Sequence, residues 1–178
     1  ICGTETMFEG IFELAPGHAL RISPRDFQPR IDRWWTPVVP PRRISRNVAE
    51  ADVMAEFEAE LQAAVKRRLI ADVPLGAFNS GGVDSSLISA IIRTITEGEL
   101  HTFSVGFEEA DFDESHYSGM VAERFQTNHH TLVIGESEYL QSFEETLFRL
   151  EEPINHAHTV QLMLLSRFAR EYVTVAVT

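Results

Sequence analysis

The chain has 178 residues, of which 44% are apolar and 24% are charged, and this balance is typical of a globular domain with one sizeable core. Its formal net charge of −12, from 27 acidic and 15 basic residues, disfavours a nucleic-acid surface, since phosphate backbones are held by clustered Lys and Arg. No run approaches the roughly 20 apolar residues of a membrane helix, and the N-terminus lacks a signal-peptide pattern. We expect a cytoplasmic protein that acts on small molecules, with neither nucleic acid nor membrane as partner.

The first part of the chain, residues 1–44, is predicted to be mostly irregular, because prolines interrupt it repeatedly up to the pair Pro40 and Pro41. Short strand-like pieces are predicted at His18–Ile22 and Arg33–Trp35. From Val48 to Ala71 the pattern changes to an amphipathic helix. Its apolar residues recur at intervals of three and four: Met54, Phe57, Leu61, Val65 and Leu69.

Strands and helices are predicted to alternate in the remainder of the chain. The predicted strands are Pro74–Phe78, His101–Phe107, His130–Ile134 and Val173–Val177. The predicted helices are Val83–Thr96, Glu114–Phe125, Glu136–Leu150 and Thr159–Glu171. This alternation predicts the α/β class, with a parallel sheet that carries helices on both faces. The ligand crevice of such a sheet lies past the carboxyl ends of the strands, where Ser80 and Gly106 fall.

A glycine-rich loop follows the first predicted strand of this sheet, and Ser80–Ser86 reads SGGVDSS. Gly81 and Gly82 lack a Cβ, so the backbone can turn sharply and its N–H groups can converge on an anion. The helix that begins near Val83 adds unpaired N–H groups and a positive dipole end. Hydroxyl groups that can donate to phosphate oxygens are those of Ser80, Ser85 and Ser86. The loop therefore predicts a site for the pyrophosphate end of a nucleotide.

Asp84 lies inside this loop, where a carboxylate would repel phosphate unless a cation lay between them. Mg²⁺ is the expected cation, since it prefers one or two carboxylates together with phosphate oxygens. The alternative is an ordinary turn followed by an acidic first helical turn. A Walker A loop is disfavoured, because the sequence has no Gly-Lys pair and its only lysine is Lys66.

The segment VPLGAFNSGGVDSSLISAI resembles the PP-loop of the asparagine synthetases, and other blocks resemble that family in the same order. HTFSVGFEE, FDESHYSGMVAERF and NHHTLVI are similar to its next strand, helix and strand, and EEPINHAHTVQLMLLSRFAREYVTVAVT to the segment that leads to its second nucleotide motif. TMFEGIFELAPGHAL and RWW are similar to the end of its glutaminase domain. The resemblance implies a glutaminase remnant with a linker at 1–44. It also implies the first part of an adenine nucleotide alpha hydrolase-like domain, truncated at its C-terminus, at 45–178.

This resemblance implies the amidation of aspartate with MgATP, in which the carboxylate attacks the α-phosphate, pyrophosphate leaves and β-aspartyl-AMP remains. Ammonia from glutamine then displaces AMP. It also implies a glutaminase domain in the same polypeptide and leaves room for a homodimer. By motif, Asp84 is assigned to Mg²⁺, Val105 to a backbone contact with adenine and Gly106 to the same cofactor region. The residues assigned to pyrophosphate are Ser80, Gly81, Gly82, Ser85 and Ser86.

The chain departs from the family pattern at several points. Asn79 stands where the family usually has an apolar residue, and we keep it as a nucleotide-site candidate. The second nucleotide motif and the catalytic lysine of the family are not in this sequence, so no catalytic residue is assigned. We expect a fragment that binds nucleotide weakly and catalyses nothing alone. Cys2 resembles the nucleophile of the glutaminase half, but TMFEGI just after it belongs to the far end of that domain, and we expect an ordinary cysteine.

Other polar and apolar groups are given structural interpretations. Asp111, Asp113 and Glu114 are expected to cap the next helix. Glu152 is equally compatible with orienting ATP or ammonia and with a solvated capping charge. A structural or exposed role is favoured over metal binding for the histidines His129, His130, His156 and His158, because adjacent strand residues face opposite sides. A stripe with helical spacing is expected to belong to the core: Leu140, Phe143, Leu147 and Leu150.

Two further functions remain open on the residues. The first is a relative that forms another amide through acyl-adenylate chemistry, such as a β-lactam synthetase or a peptide cyclase. The second is a non-catalytic nucleotide-binding module. The intact SGGVDSS loop argues against the second, since a module without catalysis does not need Asp84 placed to hold Mg²⁺.

Overall fold

The computed structural model describes residues 3–37, 48–151, 153–154 and 156–178, and the chain divides into two compact units, Ile1–Val48 and Ala49–Thr178. Several sequence predictions fall outside the described residues. They are the domain boundary between residues 44 and 45, the pair Pro40 and Pro41, and the roles of Cys2 and Glu152.

The first unit contains an antiparallel pair of strands, β1 (His18–Ile22) and β2 (Pro29–Arg33). β1 lies where it was predicted, but β2 precedes the predicted piece at Arg33–Trp35. The tryptophans favour strand by propensity, yet both Trp34 and Trp35 donate their N–H groups to the carbonyl of Gly17, at 2.9 and 3.2 Å, outside the ladder. Pro29 is tolerated because it occupies the first residue of its strand.

The second unit contains five helices and four strands in its described residues. The helices are α1 (Glu50–Arg68), α2 (Val83–Ile95), α3 (Ser115–Phe125), α4 (Glu136–Leu150) and α5 (His158–Ala169). The strands are β3 (Leu75–Phe78), β4 (His101–Phe107), β5 (Asn128–Ile134) and β6 (Val175–Val177). Within the described part of the chain, none of the helices combines the length and apolarity needed to cross a bilayer.

The four strands form one parallel sheet in the order β5-β4-β3-β6. The chain proceeds outward from β3 through β4 to β5 and then returns to place β6 on the other side of β3. Its direction of winding therefore reverses beside β3. In open parallel sheets the ligand crevice lies at the carboxyl ends of the strands at such a reversal.

Helices cover both faces of this sheet, which confirms the predicted fold class. On one face, Ala77 of β3 packs with Val65 of α1 and Ile92 of α2. On the other face, Phe103 of β4 packs with Leu165 and Ala169 of α5. The sheet thus separates two apolar clusters, and each cluster fixes helices on one side of it.

The face of β4 toward α3 is polar, although a strand buried on both sides is usually apolar. Thr102 and Ser104 are buried there, and their hydroxyls lie 2.9 and 3.0 Å from the two ring nitrogens of His129. Burial lowers the pKa of His129, and the neighbouring His130 lowers it further. Both effects favour the neutral imidazole, in which one ring nitrogen donates and the other accepts.

His130 lies on the opposite face, as its position next to His129 predicts. Its ring stacks with His101 and Phe103 at centroid distances of 5.2 Å each. The described residues contain no group of three or more His, Cys, Asp or Glu side chains that could hold a metal ion.

The apolar stripe on α4 does not form part of the core, contrary to the prediction. Its four residues, Leu140, Phe143, Leu147 and Leu150, are between 40% and 60% exposed. The buried residues of α4 are instead Ser142 and Thr146, whose hydroxyl donates to the Ser142 carbonyl at 2.7 Å. Met54 and Phe57 on α1 are exposed in the same way. Helical spacing identifies an apolar face but does not say which face this unit covers.

Ile92 tests the packing of α2 on the sheet. We expect Ile92→Ala to lower the free energy of unfolding by about 2 to 5 kcal/mol, since the side chain is fully buried and its loss leaves a cavity. Val83→Ala on the same helix is the control, because Val83 is 84% exposed, and its change should stay within about 0.5 kcal/mol. Urea unfolding of both variants measures the difference. Equal losses would contradict the placement of α2.

Candidate functional site

Four residues, Asn79–Gly82, connect β3 to α2. The predicted phosphate loop, Ser80–Ser86, begins in this connection and continues into the first turn of α2. Gly81 has a φ of +78°, and a Cβ on it would lie 2.5 Å from Tyr117 Cβ and 2.6 Å from the Ser118 nitrogen of α3. Gly82 has an ordinary φ of −67°, and a Cβ on it would lie 3.3 Å from the Ser80 hydroxyl. The two glycines are therefore not equivalent, because only Gly81 is required by both conformation and contact.

The N–H groups of Ser80, Gly81 and Gly82 are not left free for an anion, contrary to the prediction, because each donates to a side-chain oxygen of a nearby residue. The Ser80 N–H donates to the Ser85 hydroxyl at 3.2 Å, the Gly81 N–H to Asn79 Oδ1 at 3.1 Å and the Gly82 N–H to the Ser80 hydroxyl at 3.3 Å. For Gly81 and Gly82 the reason is that short polar side chains commonly hydrogen-bond to the backbone two residues on.

The free donors lie slightly further along, at the start of α2. The first helical hydrogen bond runs from the Ser86 N–H to the Gly82 carbonyl at 3.0 Å. Within the described ranges, the N–H groups of Val83, Asp84 and Ser85 have no acceptor, as expected for a first helical turn. The Ser86 hydroxyl is likewise buried without a described partner. The N–H groups without an acceptor thus lie at the helix start rather than at the diglycine bend.

Asp84 lies in this first turn, and its carboxylate is exposed to solvent. A carboxylate beside free N–H groups can share a hard cation with a phosphate that those groups bind. The residues present therefore suit one Mg²⁺ ion held between Asp84 and a polyphosphate.

A cleft of about 430 Å³ opens at the carboxyl ends of β3 and β4. Its volume lies in the range of small-molecule sites, roughly 300 to 1,000 Å³. The predicted site residues that line it are Asn79, Ser80, Ser85 and Val105. The predicted site residues outside its lining are Gly81, Gly82, Asp84, Ser86 and Gly106. Its apolar wall includes Phe78, Phe107 and Phe112.

Gly106 does not line the cleft, and its lack of a Cβ leaves room for the Asp113 carboxylate. A Cβ on Gly106 would lie 3.1 Å from Asp113 Oδ1. The Asp113 carboxylate accepts hydrogen bonds from the Ser115 hydroxyl at 2.9 Å, from the Ser115 N–H at 3.1 Å and from the Phe107 N–H at 3.3 Å. The Ser115 hydroxyl is the largest cause that lowers the pKa of Asp113, and the two N–H groups add to it. Asp113 thus ties the end of β4 to the first residue of α3, whereas Glu114, the N-cap residue of α3, makes no side-chain cap hydrogen bond.

Polar residues that line the cleft but were not predicted as site residues include Glu114 and, on the first turn of α5, His158 and Gln161. The order of the predicted elements did indicate that the start of α5 lies near the cleft. A helix that precedes a parallel strand begins at the carboxyl edge of the sheet, so the start of α5 belongs beside the crevice.

The parallel sheet, the winding reversal beside β3 and the SGGVDSS loop that begins α2 define the PP-loop class of the adenine nucleotide alpha hydrolase-like fold. The chain belongs to the asparagine synthase family, whose profile matches residues 56–178.

Several curated relatives are similar to the chain. A Methanocaldococcus jannaschii protein provisionally named asparagine synthetase (glutamine-hydrolysing) 2 is 37% identical over 127 residues, covering 71% of this chain and 24% of that protein. Asparagine synthetase (glutamine-hydrolysing) 3 of Bacillus subtilis is 33% identical over 161 residues, covering 83% and 25%. A Mycobacterium tuberculosis protein, provisionally named asparagine synthetase (glutamine-hydrolysing), is 32% identical over 175 residues, covering 98% and 26%. The chain thus spans about a quarter of the length of these relatives.

The two glycines of the loop should respond differently to an added methyl group. We expect Gly81→Ala to lower the free energy of unfolding by about 3 kcal/mol or more, through a left-handed φ and contact with the α3 backbone. Gly82→Ala, with its ordinary φ, should change it by less than about 1 kcal/mol. Thermal unfolding of the two variants makes the comparison, and a Gly81→Ala protein as stable as Gly82→Ala would contradict the loop geometry.

Asp113 should contribute stability that depends on pH. Because folding lowers its pKa, its contribution is present above the unfolded pKa of about 3.9 and is lost as pH falls through the folded pKa. We expect Asp113→Asn to be less stable than wild type at neutral pH, and the difference to shrink below about pH 4. Asp111→Asn, an exposed change in the same loop, is the control. Urea unfolding at several pH values tests this, and a pH-independent difference would refute it.

Proposed function

We propose that the protein to which this chain belongs is a glutamine-dependent asparagine synthetase. In this reaction ATP activates the side-chain carboxylate of aspartate as β-aspartyl-AMP with release of pyrophosphate, and ammonia from glutamine then displaces AMP. The observation that carries the proposal is the free first turn of α2 beside Ser80 and Ser85, at the mouth of a cleft of about 430 Å³.

The free N–H groups of Val83, Asp84 and Ser85 suit a leaving pyrophosphate. α2 fixes these N–H groups in place before negative charge develops on the leaving pyrophosphate. The helix dipole adds further positive potential at the same position. A kinase must instead stabilise a moving γ-phosphoryl group between two oxygens. A helix start that holds the tail of the nucleotide fits cleavage between the α- and β-phosphates.

The serine hydroxyls provide donors that can be exchanged. The Ser80 and Ser85 hydroxyls lie 2.9 Å apart, and each accepts a long backbone N–H bond of 3.2 or 3.3 Å. A phosphate oxygen could replace these hydroxyls as acceptor, after which the hydroxyls donate to the same phosphate. Charge-assisted hydrogen bonds are roughly twice as strong as neutral ones, so this exchange favours the bound state.

Asp84 would hold the Mg²⁺ ion that accompanies ATP. The ion would neutralise part of the charge on the departing pyrophosphate. The apolar wall of the cleft, with Val105 and Phe107, offers a surface for the adenine base. A glutaminase domain in the same polypeptide would supply ammonia.

Exchange of labelled pyrophosphate into ATP tests the adenylation step in the intact protein. We expect exchange only with both aspartate and Mg²⁺, because the carboxylate must accept the adenylyl group before the reverse reaction can occur. Exchange with another carboxylate in place of aspartate would identify a different amide synthetase. Absence of exchange with every carboxylate tried would overturn the proposal.

The same assay tests Asp84. We expect Asp84→Asn to reduce exchange by about 10- to 100-fold at low Mg²⁺, with partial recovery at high Mg²⁺, as for the loss of one metal ligand. Glu144→Gln, an exposed change on α4, is the control and should keep wild-type exchange. Equal Mg²⁺ dependence in wild type and Asp84→Asn would remove Asp84 from the metal site.

A further inference from the structure

Asn79 is a buried polar residue directly before the phosphate loop, only 1% exposed. Three hydrogen bonds tie it to different parts of the unit. Its N–H donates to the Phe103 carbonyl of β4 at 2.8 Å, its Nδ2 donates to the Ser118 carbonyl of α3 at 3.1 Å, and its Oδ1 accepts from the Gly81 N–H at 3.1 Å. Asn79 therefore connects the sheet, α3 and the loop.

We propose that Asn79 is a positioning residue that holds the phosphate loop against α3 in its binding shape before nucleotide arrives. This inference rests on the proposed function, since it concerns how the same loop binds a polyphosphate. It assigns to Asn79 a role through Gly81 rather than a direct contact with nucleotide.

The bond from Gly81 to Asn79 Oδ1 selects the left-handed conformation of Gly81. An Asn side chain that accepts the N–H two residues on forms an Asx turn, which substitutes for a backbone turn. An apolar side chain at this position would leave the Gly81 N–H without this acceptor. The glycine would then have more conformations available, and part of that freedom would be lost on binding.

The bond to Ser118 keeps the Asn79 amide from turning away. A buried amide that lost this bond would leave its own N–H unpaired, which is costly in a buried environment. The other loop N–H groups donate to the hydroxyls of Ser80 and Ser85, which lie 2.9 Å apart, and Ser85 also donates to the Gly82 carbonyl at 3.2 Å. These hydroxyls are bonded only to one another and to the loop itself, whereas the Asn79 amide is bonded to α3. The Gly81 N–H is thus withheld from the ligand, and the other loop N–H groups remain exchangeable.

Ser118 provides a matched control for this contact. Asn79 donates to its main-chain carbonyl, whereas its hydroxyl donates to the Ser115 carbonyl at 2.7 Å and lies 3.2 Å from His129 Nε2. Ser118→Ala therefore removes buried side-chain hydrogen bonds next to Asn79 and keeps the acceptor that Asn79 uses.

Binding of ATP, inorganic pyrophosphate and AMP to the intact protein tests the proposal by calorimetry. We expect Asn79→Ala to raise the Kd of ATP and of pyrophosphate about tenfold and to leave the Kd of AMP within about twofold, because only the first two ligands use the loop. Ser118→Ala should leave all three values within about twofold. Asn79→Ser should give intermediate Kd values, because its hydroxyl can still accept the N–H two residues on. This variant also tests the proposal if Asn79→Ala does not fold.

Several outcomes would overturn the proposal. Equal weakening of AMP and pyrophosphate by Asn79→Ala would show a general structural defect. Unchanged or tighter pyrophosphate binding would show that Asn79 only withholds the Gly81 N–H. A wild-type protein that binds neither ATP nor pyrophosphate would instead overturn the proposed function, and the inference with it.

Discussion

The contact between Gly81 and the backbone of α3 is the constraint on which the site depends. A Cβ at Gly81 would lie within 2.7 Å of three α3 atoms, so the loop and the helix can approach only at a glycine. This approach lets Asn79 reach the Ser118 carbonyl, and it directs the chain from the end of β3 into α2. The start of α2, with its free N–H groups, therefore lies at the crevice because the loop is pressed against a helix from elsewhere in the chain.

The two faces of the sheet stabilise this arrangement by different means. On the α5 face, Phe103 contacts Phe168 and Tyr172 at ring centroid distances of 6.3 and 5.8 Å, and burial of apolar area supplies the stabilisation. On the α3 face, Thr102 and His129 meet through hydrogen bonds. Thr102 and His129 lie on neighbouring strands, so these directional hydrogen bonds fix the pairing of β4 with β5 on this face.

The N–H groups of Ser80, Gly81 and Gly82 have acceptors within the protein, and this affects how an anion would bind. Unpaired N–H groups cost free energy when buried, so a loop that offers its donors to a ligand needs substitutes in its absence. Serine hydroxyls are weak, movable substitutes, whereas the Asn79 amide is a fixed one. The N–H groups of Ser80 and Gly82 therefore donate to exchangeable acceptors, the serine hydroxyls. The Gly81 N–H donates to a fixed acceptor, the Asn79 amide.

The sequence by itself determined the order of the elements, the α/β class and the glycine-rich loop that leads into α2. Each of these follows from local patterns, namely apolar runs of strand length, helical spacing and a glycine pair between them. The family follows instead from the resemblance of several ordered sequence blocks, which the profile match confirms. Only the tertiary structure decided which apolar faces are covered, as the exposed Leu140 stripe on α4 shows, because periodicity carries no information about the neighbour. It also decided that His158 lines the cleft, that Asp113 fills the space beside Gly106, and that Asn79 turns inward to α3. Those facts depend on contacts between residues far apart in the chain, and spacing along the chain does not encode them.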